Sequence, residues 1–372
     1  MRFDSPLRRG YVLLAAANQA GTSRCCLLLR KTCALVLMAL LLTSPYLVVV
    51  WLEQRAEAHL TLAGRGSTHL LIEPARSGRN VFFVETSCAL TGPLLGRARD
   101  SPVFTLNNRQ ACAVESAARA YPQHAVYVLH TCPGTSLQAW SDASRHAVDY
   151  PNVRLVELDP LGFLRGTPLE RWASSGQLET SLYPVVHASD VFRVLALWKY
   201  GGLYLDLDVI TFRDMGGLEN FMAMERNDSL NTAVMHMSPR GLGHELASDL
   251  LERMGSDFRG DAWSYNGPEL VTKTLLARCN VSQPLEMRKE KCSGFTVLGI
   301  PAFYPLPYEQ WEWVFEEARA QDVWRAVDGS YGLHMWNSIS HSRQGPVGTG
   351  TALSQLVQRY CPRVFNYSAR VL

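Results

Sequence analysis

A chain of 372 residues, 47% of them hydrophobic, has room for one large or two ordinary domains around a packed core, which excludes a disordered or fibrous protein. Its 36 basic residues against 34 acidic ones leave a formal charge of +2, so no overall field favours nucleic acid or an acidic partner. The charge is uneven, however, since Arg2, Arg8, Arg9, Arg24, Arg30 and Lys31 are opposed only by Asp4 within the first 31 residues.

Behind those basic residues, Thr32 to Leu52 runs for 21 residues without a charge, and a helix needs about 20 to cross the hydrocarbon core of a bilayer. Pro45 inside the run is tolerated in a membrane span, and Tyr46 and Trp51 stand toward the end where interfacial aromatics are favoured. Arg30 and Lys31 keep the N-terminus in the cytosol. A cleaved signal peptide is the competing reading, but the run is long for an h-region and no small-residue cleavage site follows it. The expected organisation is a cytoplasmic tail over 1–31, a type II signal anchor over 32–52, a polar stem over 53–78 and a luminal catalytic domain over 79–372.

Nine cysteines suit that topology. Cys25 and Cys26 fall beside the membrane, as palmitoylation sites or inert thiols, and Cys33 falls in the span. Cys88, Cys112, Cys132, Cys279, Cys292 and Cys361 would face an oxidising lumen; Cys279 with Cys292 and Cys88 with Cys112 close the shortest loops, although spacing does not decide the pairing. Three glycosylation sequons, at Asn227, Asn280 and Asn366, all lie beyond the span.

The domain itself opens with Val81 to Val84, a short apolar run that reads as a buried strand ending in Glu85-Thr86-Ser87. Arg109 to Ala120 is alanine-rich up to Pro122 and predicts a helix. Ala125 to His130 and Val153 to Leu158 predict two more strands, and Thr167-Pro168 a helix start. Strands alternating with helices in this way argue for an α/β fold with a largely parallel sheet, whose ligands bind at the carboxyl ends of the strands.

Asp190 to Tyr200 carries apolar residues at helical spacing and ends at Gly201-Gly202. The period then becomes two, which sends Leu203, Leu205, Leu207 and Val209 to one face and Tyr204, Asp206 and Asp208 to the other. Two carboxylates on one face repel unless a cation lies between them, and their hard oxygens suit Mn²⁺ or Mg²⁺; two solvated acids on an edge strand are the bland alternative. Asp190 and Arg193 share a helix face and could join them. Asn231, in an expected inner strand over 230–235, is a candidate to touch substrate or else a satisfied core amide. Trp263 to Glu269 reads as a turn into a helix over 269–277 whose amides could meet a ligand. Phe303, Tyr304, Tyr308, Trp311 and Trp313 could stack on sugar rings, with core packing their more ordinary role. In Tyr331 to Asn337, a late strand, His334 is either a third metal ligand or a satisfied core histidine.

These residues resemble a known family. His187-Ala-Ser-Asp190-Val-Phe-Arg193 followed by Trp198-Lys-Tyr-Gly-Gly-Leu-Tyr-Leu-Asp206-Leu-Asp208 is similar to the signature of glycosyltransferase family 32, in its alpha-1,4-glycosyltransferase group. Supporting segments are Phe83 to Ser87, Cys112 to Ala118, Asn266 to Glu269, Phe303 to Pro305 and His334 to Asn337. The resemblance implies a GT-A, Rossmann-like fold in a single catalytic domain, a UDP-sugar donor, Mn²⁺ (or Mg²⁺) held by Asp206 and Asp208, and retention of the donor's α configuration. It further implies a Golgi membrane and a glycolipid, such as lactosylceramide, or a glycoprotein as acceptor. Donor contacts would come from Asp190, Arg193, Tyr204, Asn266 and Trp336, with His334 or Trp336 closing over the diphosphate. Galactose or an N-acetylhexosamine is the expected sugar, an inactive carbohydrate-binding protein the alternative of another class, and a homodimer is allowed for. Leu207 departs from the threonine common in relatives, and Ala233-Val-Met from their Gly-Ala-Phe.

Overall fold

The computed structural model describes residues 73–87, 104–132, 140–369 and 371–372. The expected tail, span and most of the stem lie outside them; among the described residues no helix is long and apolar enough to cross a membrane.

Strands β1 (Asn80–Glu85), β2 (Ala125–His130), β3 (Val153–Glu157), β4 (Gly202–Leu205), β6 (Phe221–Arg226), β7 (Ser229–Met237) and β8 (Thr296–Leu298) form a seven-stranded sheet. Its order is β3-β2-β1-β4-β7-β6-β8, and a separate ribbon pairs β5 (Val209–Thr211) with β9 (Gly332–His334). Neighbours in the large sheet run parallel except where β7 is involved. The α/β architecture with a mostly parallel sheet is therefore the one the alternation of elements predicts.

The apolar runs are continuous because both faces of the sheet are covered. Phe82, Tyr127, Leu129 and Tyr204 enter one core, while Val81, Phe83, Val126, Val128, Leu203 and Leu205 enter the other. Against the second core lies α1 (Asn108–Ala120), whose start is set by a reciprocal cap between Asn107 and Gln110. The first core is closed by α2 (Pro184–Tyr200), α3 (Leu242–Ser256) and α4 (Leu270–Cys279).

α2 begins six residues earlier than its apolar spacing suggests, with Pro184 in its first turn, where a missing N–H costs nothing. It stops at Gly201 and Gly202, with φ of 67° and 124°. A Cβ on Gly202 would lie 2.4 Å from the Asn80 carbonyl oxygen, so that position needs glycine for space as well as for conformation.

Two expectations are corrected, and the cysteine pairing that spacing left open is resolved in part. The helix expected from Thr167 is a single turn, Glu170–Ala173, with the Thr167 hydroxyl accepting from the Leu169 amide. Cys112 is bonded not to its near neighbour in sequence but to Cys361, 249 residues away, whereas Cys279–Cys292 forms as the short spacing suggests. The strand expected to run from Leu203 through Ile210 breaks after Leu205.

Candidate active site

That break builds the site. Asp206 donates its amide to the Ala233 carbonyl of β7, then accepts the Val209 amide in a turn, and the chain leaves the large sheet to pair as β5 with β9. Asp206 and Asp208 are therefore brought together by a turn at the carboxyl end of β4 and not by the pleat of one strand. The β5–β9 pairing then delivers His334 opposite Val209. Ligand atoms of Asp206, Asp208 and His334 all lie within 4.8 Å of one another.

Each member of this trio is held from behind. The Arg193 guanidinium lies 3.2 Å from Asp206 and 3.5 Å from Asp190, donates to the Thr232 carbonyl and hydroxyl, and packs over the Tyr204 ring at 4.9 Å. Tyr204 donates its hydroxyl to Asp206 at 2.6 Å. Asp208 accepts the Asn337 amide at 2.7 Å, and the Met335 amide donates to its carbonyl at 2.9 Å. His334 Nε2 lies 3.3 Å from Asp208, while its buried Nδ1 has no partner among the described residues. Trp336 sets the ring edge-on at 4.5 Å and anchors its own indole N–H on the Leu306 carbonyl.

Burial shapes the electrostatics. It pushes the Asp190 carboxyl up to about 7, with the Asp206 charge adding to the rise and Arg193 opposing it. Burial raises Asp208 as well, against the pull of His334 and with the Asp206 charge adding. Desolvation would lower Arg193, but Asp206, Tyr204 and Asp190 outweigh it and hold the guanidinium charged. Among the described residues Asp190 Oδ2 and the Tyr304 hydroxyl are buried without a partner, two polar groups oriented by the fold.

These side chains form one end of a cavity of about 700 Å³. Asp190, Arg193, Asp206, Asp208, Asn231, His334 and Trp336 line it. Two expected donor contacts do not. Tyr204 is buried behind Asp206 and orients it, and Asn266 spends both ends of its carboxamide on the Arg259 backbone, at 2.9 and 2.8 Å. Asn231 lines the cavity with its amide engaged, donating to Glu225 at 2.6 Å and accepting from the Ala233 amide at 2.7 Å. Glu225 and Thr232 are not among the candidates from sequence, and Tyr304, read there as a stacking or core aromatic, brings its hydroxyl to the site. The run Phe221 to Met224 ending in a glutamate, like the run that ends at Glu85, was the available signal for Glu225.

Sequence comparison agrees with this geometry. A family described as the alpha 1,4-glycosyltransferase conserved region matches residues 239–368, and one described as a glycosyltransferase sugar-binding region containing a DXD motif matches residues 107–230. Human lactosylceramide 4-alpha-galactosyltransferase is 32% identical over 288 residues, 76% of this chain and 75% of that protein. Human alpha-1,4-N-acetylglucosaminyltransferase is 27% identical over 77% of this chain and 80% of its own. Among solved structures, the galactosyltransferase LgtC overlays at a TM-score of 0.35 with 13% identity over 78% of this chain and 96% of its own. On its sequence relatives, the chain belongs to the alpha-1,4-glycosyltransferase family and is a glycosyltransferase.

Proposed function

We propose that this enzyme is a metal-dependent, retaining alpha-1,4-glycosyltransferase that moves galactose or an N-acetylhexosamine from UDP to O4 of a terminal galactose-type sugar. The observation that carries the reading is the convergence of Asp206, Asp208 and His334 at the floor of a cavity at the carboxyl edge of the sheet. Two carboxylates and an imidazole fit Mn²⁺ or Mg²⁺, and such an ion supplies positive charge to a departing diphosphate.

The chain's own residues do the positioning. Arg193 and Tyr204 fix one carboxylate oxygen of Asp206, and the Asn337 amide fixes one of Asp208, so the remaining oxygens stay aimed at the ligand. Asp190 Oδ2, unpartnered, is placed to accept a hydroxyl of the donor sugar. In front-face transfer the acceptor oxygen bonds to the anomeric carbon as the bond to the phosphate oxygen breaks, its electron pair leaves with UDP, and the acceptor hydroxyl's proton passes to that departing phosphate oxygen. Front-face attack and a covalent intermediate both preserve the α configuration; for the second, Glu225, Asp228 and Glu269 are the cavity carboxylates outside the metal trio and the Arg193 pair.

Similarity to human lactosylceramide 4-alpha-galactosyltransferase, at 32% identity, favours a lactosylceramide-type glycolipid acceptor. A Golgi lumen is supported by the disulfides and by the exposure of Asn227, Asn280 and Asn366. UDP release by the full-length enzyme from UDP-galactose, UDP-GalNAc and UDP-GlcNAc, with Mn²⁺ and with a chelator, tests the reading. Chelator-sensitive release from one of them supports it; no release from any donor leaves a protein that binds sugars without transferring them.

A further inference from the structure

Among the described residues nine large hydrophobic side chains are exposed, and three of them, Leu182 (69%), Val185 (38%) and Trp263 (51%), belong to two segments bonded to each other, of which Val186 and Trp263 reach the cavity. Isolated exposed apolar residues are ordinary, but a group of them at the rim of a polar cavity marks a contact surface. Trp263 and Val186 both line that cavity.

The rim is built. The Leu182 amide donates to the Gly260 carbonyl at 2.9 Å, and the Ser181 hydroxyl donates to the same carbonyl at 3.2 Å. His187, buried at the start of α2, bridges both segments through the Ser181 hydroxyl at 2.8 Å and the Ala262 carbonyl at 3.1 Å. Tyr183 meets the Trp263 ring edge-on at 5.2 Å. The indole is therefore held in place with its other surface open. A polar arc lies beside it, where Ser264 donates to Glu269 at 2.7 Å and Lys273 stands 3.7 Å from the same carboxylate.

We propose that this rim is the acceptor subsite, with Trp263 as the platform for the terminal galactose-type ring and Leu182 and Val185 receiving an apolar aglycone. The stereochemistry supports it. In a galactose ring the 4-hydroxyl is axial, and the C–H bonds of carbons 3, 4 and 5 make an apolar patch away from it. A ring stacked by that patch on the indole turns O4 away from the tryptophan, so an acceptor seated on a cavity wall presents its nucleophile to the cavity. Ser264, Glu269 and Lys273 can bond the remaining equatorial hydroxyls, and an attached alkyl chain leaves over Leu182 and Val185. This inference rests on the transferase reading and specifies its acceptor side.

Steady-state kinetics of the full-length enzyme with lactose and with decyl β-lactoside below its micelle concentration test the subsite. The wild type is expected to show about a tenfold lower KM for the decyl glycoside, what burial of about two methylenes gives. W263A should raise KM for both acceptors by about tenfold or more, W263F by much less, because stacking survives the smaller ring. Donor KM should move less than twofold in either. L182S/V185S should erase the preference for the decyl glycoside and leave the lactose KM in place. Unchanged acceptor KM in W263A, a parallel rise in donor KM, or a decyl preference that survives L182S/V185S each overturns the assignment. Calorimetric titration of decyl β-lactoside into wild type and W263F reads the same subsite without turnover. An enzyme that binds the glycoside through Trp263 but releases no UDP from any donor refutes the transferase reading and not the subsite.

Discussion

The two ends of the cavity are made differently. At the floor, Asp206, Asp208 and Arg193 are each fixed by two or more buried or half-buried partners, and none of those partners comes from an exposed loop side chain. At the rim, Trp263 and Leu182 are half or more exposed, and the Lys273–Glu269 pair stands in solvent. The contrast separates two tasks. A group that must meet developing charge is best locked before the substrate arrives, whereas a surface that accepts a varied, partly apolar molecule needs shape and little else.

The largest effect that breaks or sharpens this contrast lies at the floor. D208A should reduce transfer by about 10² to 10³ or more, the cost of losing a charge-stabilising group in an excluded site. Its circular dichroism should match the wild type, since Asp208 anchors a turn and not a strand. Retained turnover in D208A disproves the assignment.

R193A comes next. It strands Asp190 and Asp206 without their cation, and breaking a buried pair typically costs about 3–5 kcal/mol. Urea unfolding should show that loss, with R193K recovering part of it. A change below 1 kcal/mol, roughly the value of an exposed pair, would mean the floor is no more rigid than the rim.

A third prediction concerns the scaffold on which both ends stand. Burial, with the charge of His124 adding, lowers His236 to about 4. Its Nδ1 accepts the Asn220 amide at 3.1 Å. In the unfolded chain a histidine takes its proton near 6.5, so the neutral form that folding requires is free above that pH and increasingly costly below it. Stability should be complete above pH 6.5 and fall by about 2–3 kcal/mol as pH drops to 4. Chemical denaturation across that range should show the slope, and His236→Gln should flatten it. At the rim, K273A should change stability by less than about 0.5 kcal/mol, because both partners of its ion pair are solvated.

The parallel half of the sheet was legible in the sequence because strands buried on both faces must be apolar throughout. Val81 to Val84 and Ala125 to His130 announce themselves in that way. The acids of the floor were legible too, since carboxylates two apart after an apolar run are unusual without a ligand. What placed them was not legible. The alternation of Leu203 to Val209 continues across a turn, and only the pairing of β5 with a strand more than 100 residues later shows where the chain leaves the sheet. Tyr204 and Asn266 fit a family pattern, yet their partners are Asp206 and the Arg259 backbone, tertiary neighbours that no local spacing records. Cys112 found Cys361 for the same reason. Trp263 sat in a segment that was noticed for its turn, and its exposure becomes visible only once the fold is drawn.

Mn²⁺ binding is the most direct test of the floor, because it reads the trio without an acceptor, a donor sugar or turnover. Electron paramagnetic resonance titration of Mn²⁺ with UDP present should give one tight site per wild-type chain. D206N, D208N and H334A should each weaken it at least about tenfold, the usual cost of losing a ligand or its support. Wild-type Mn²⁺ affinity in D208N and H334A together would contradict the account, since the trio would then be an ion-paired cluster and not a metal centre.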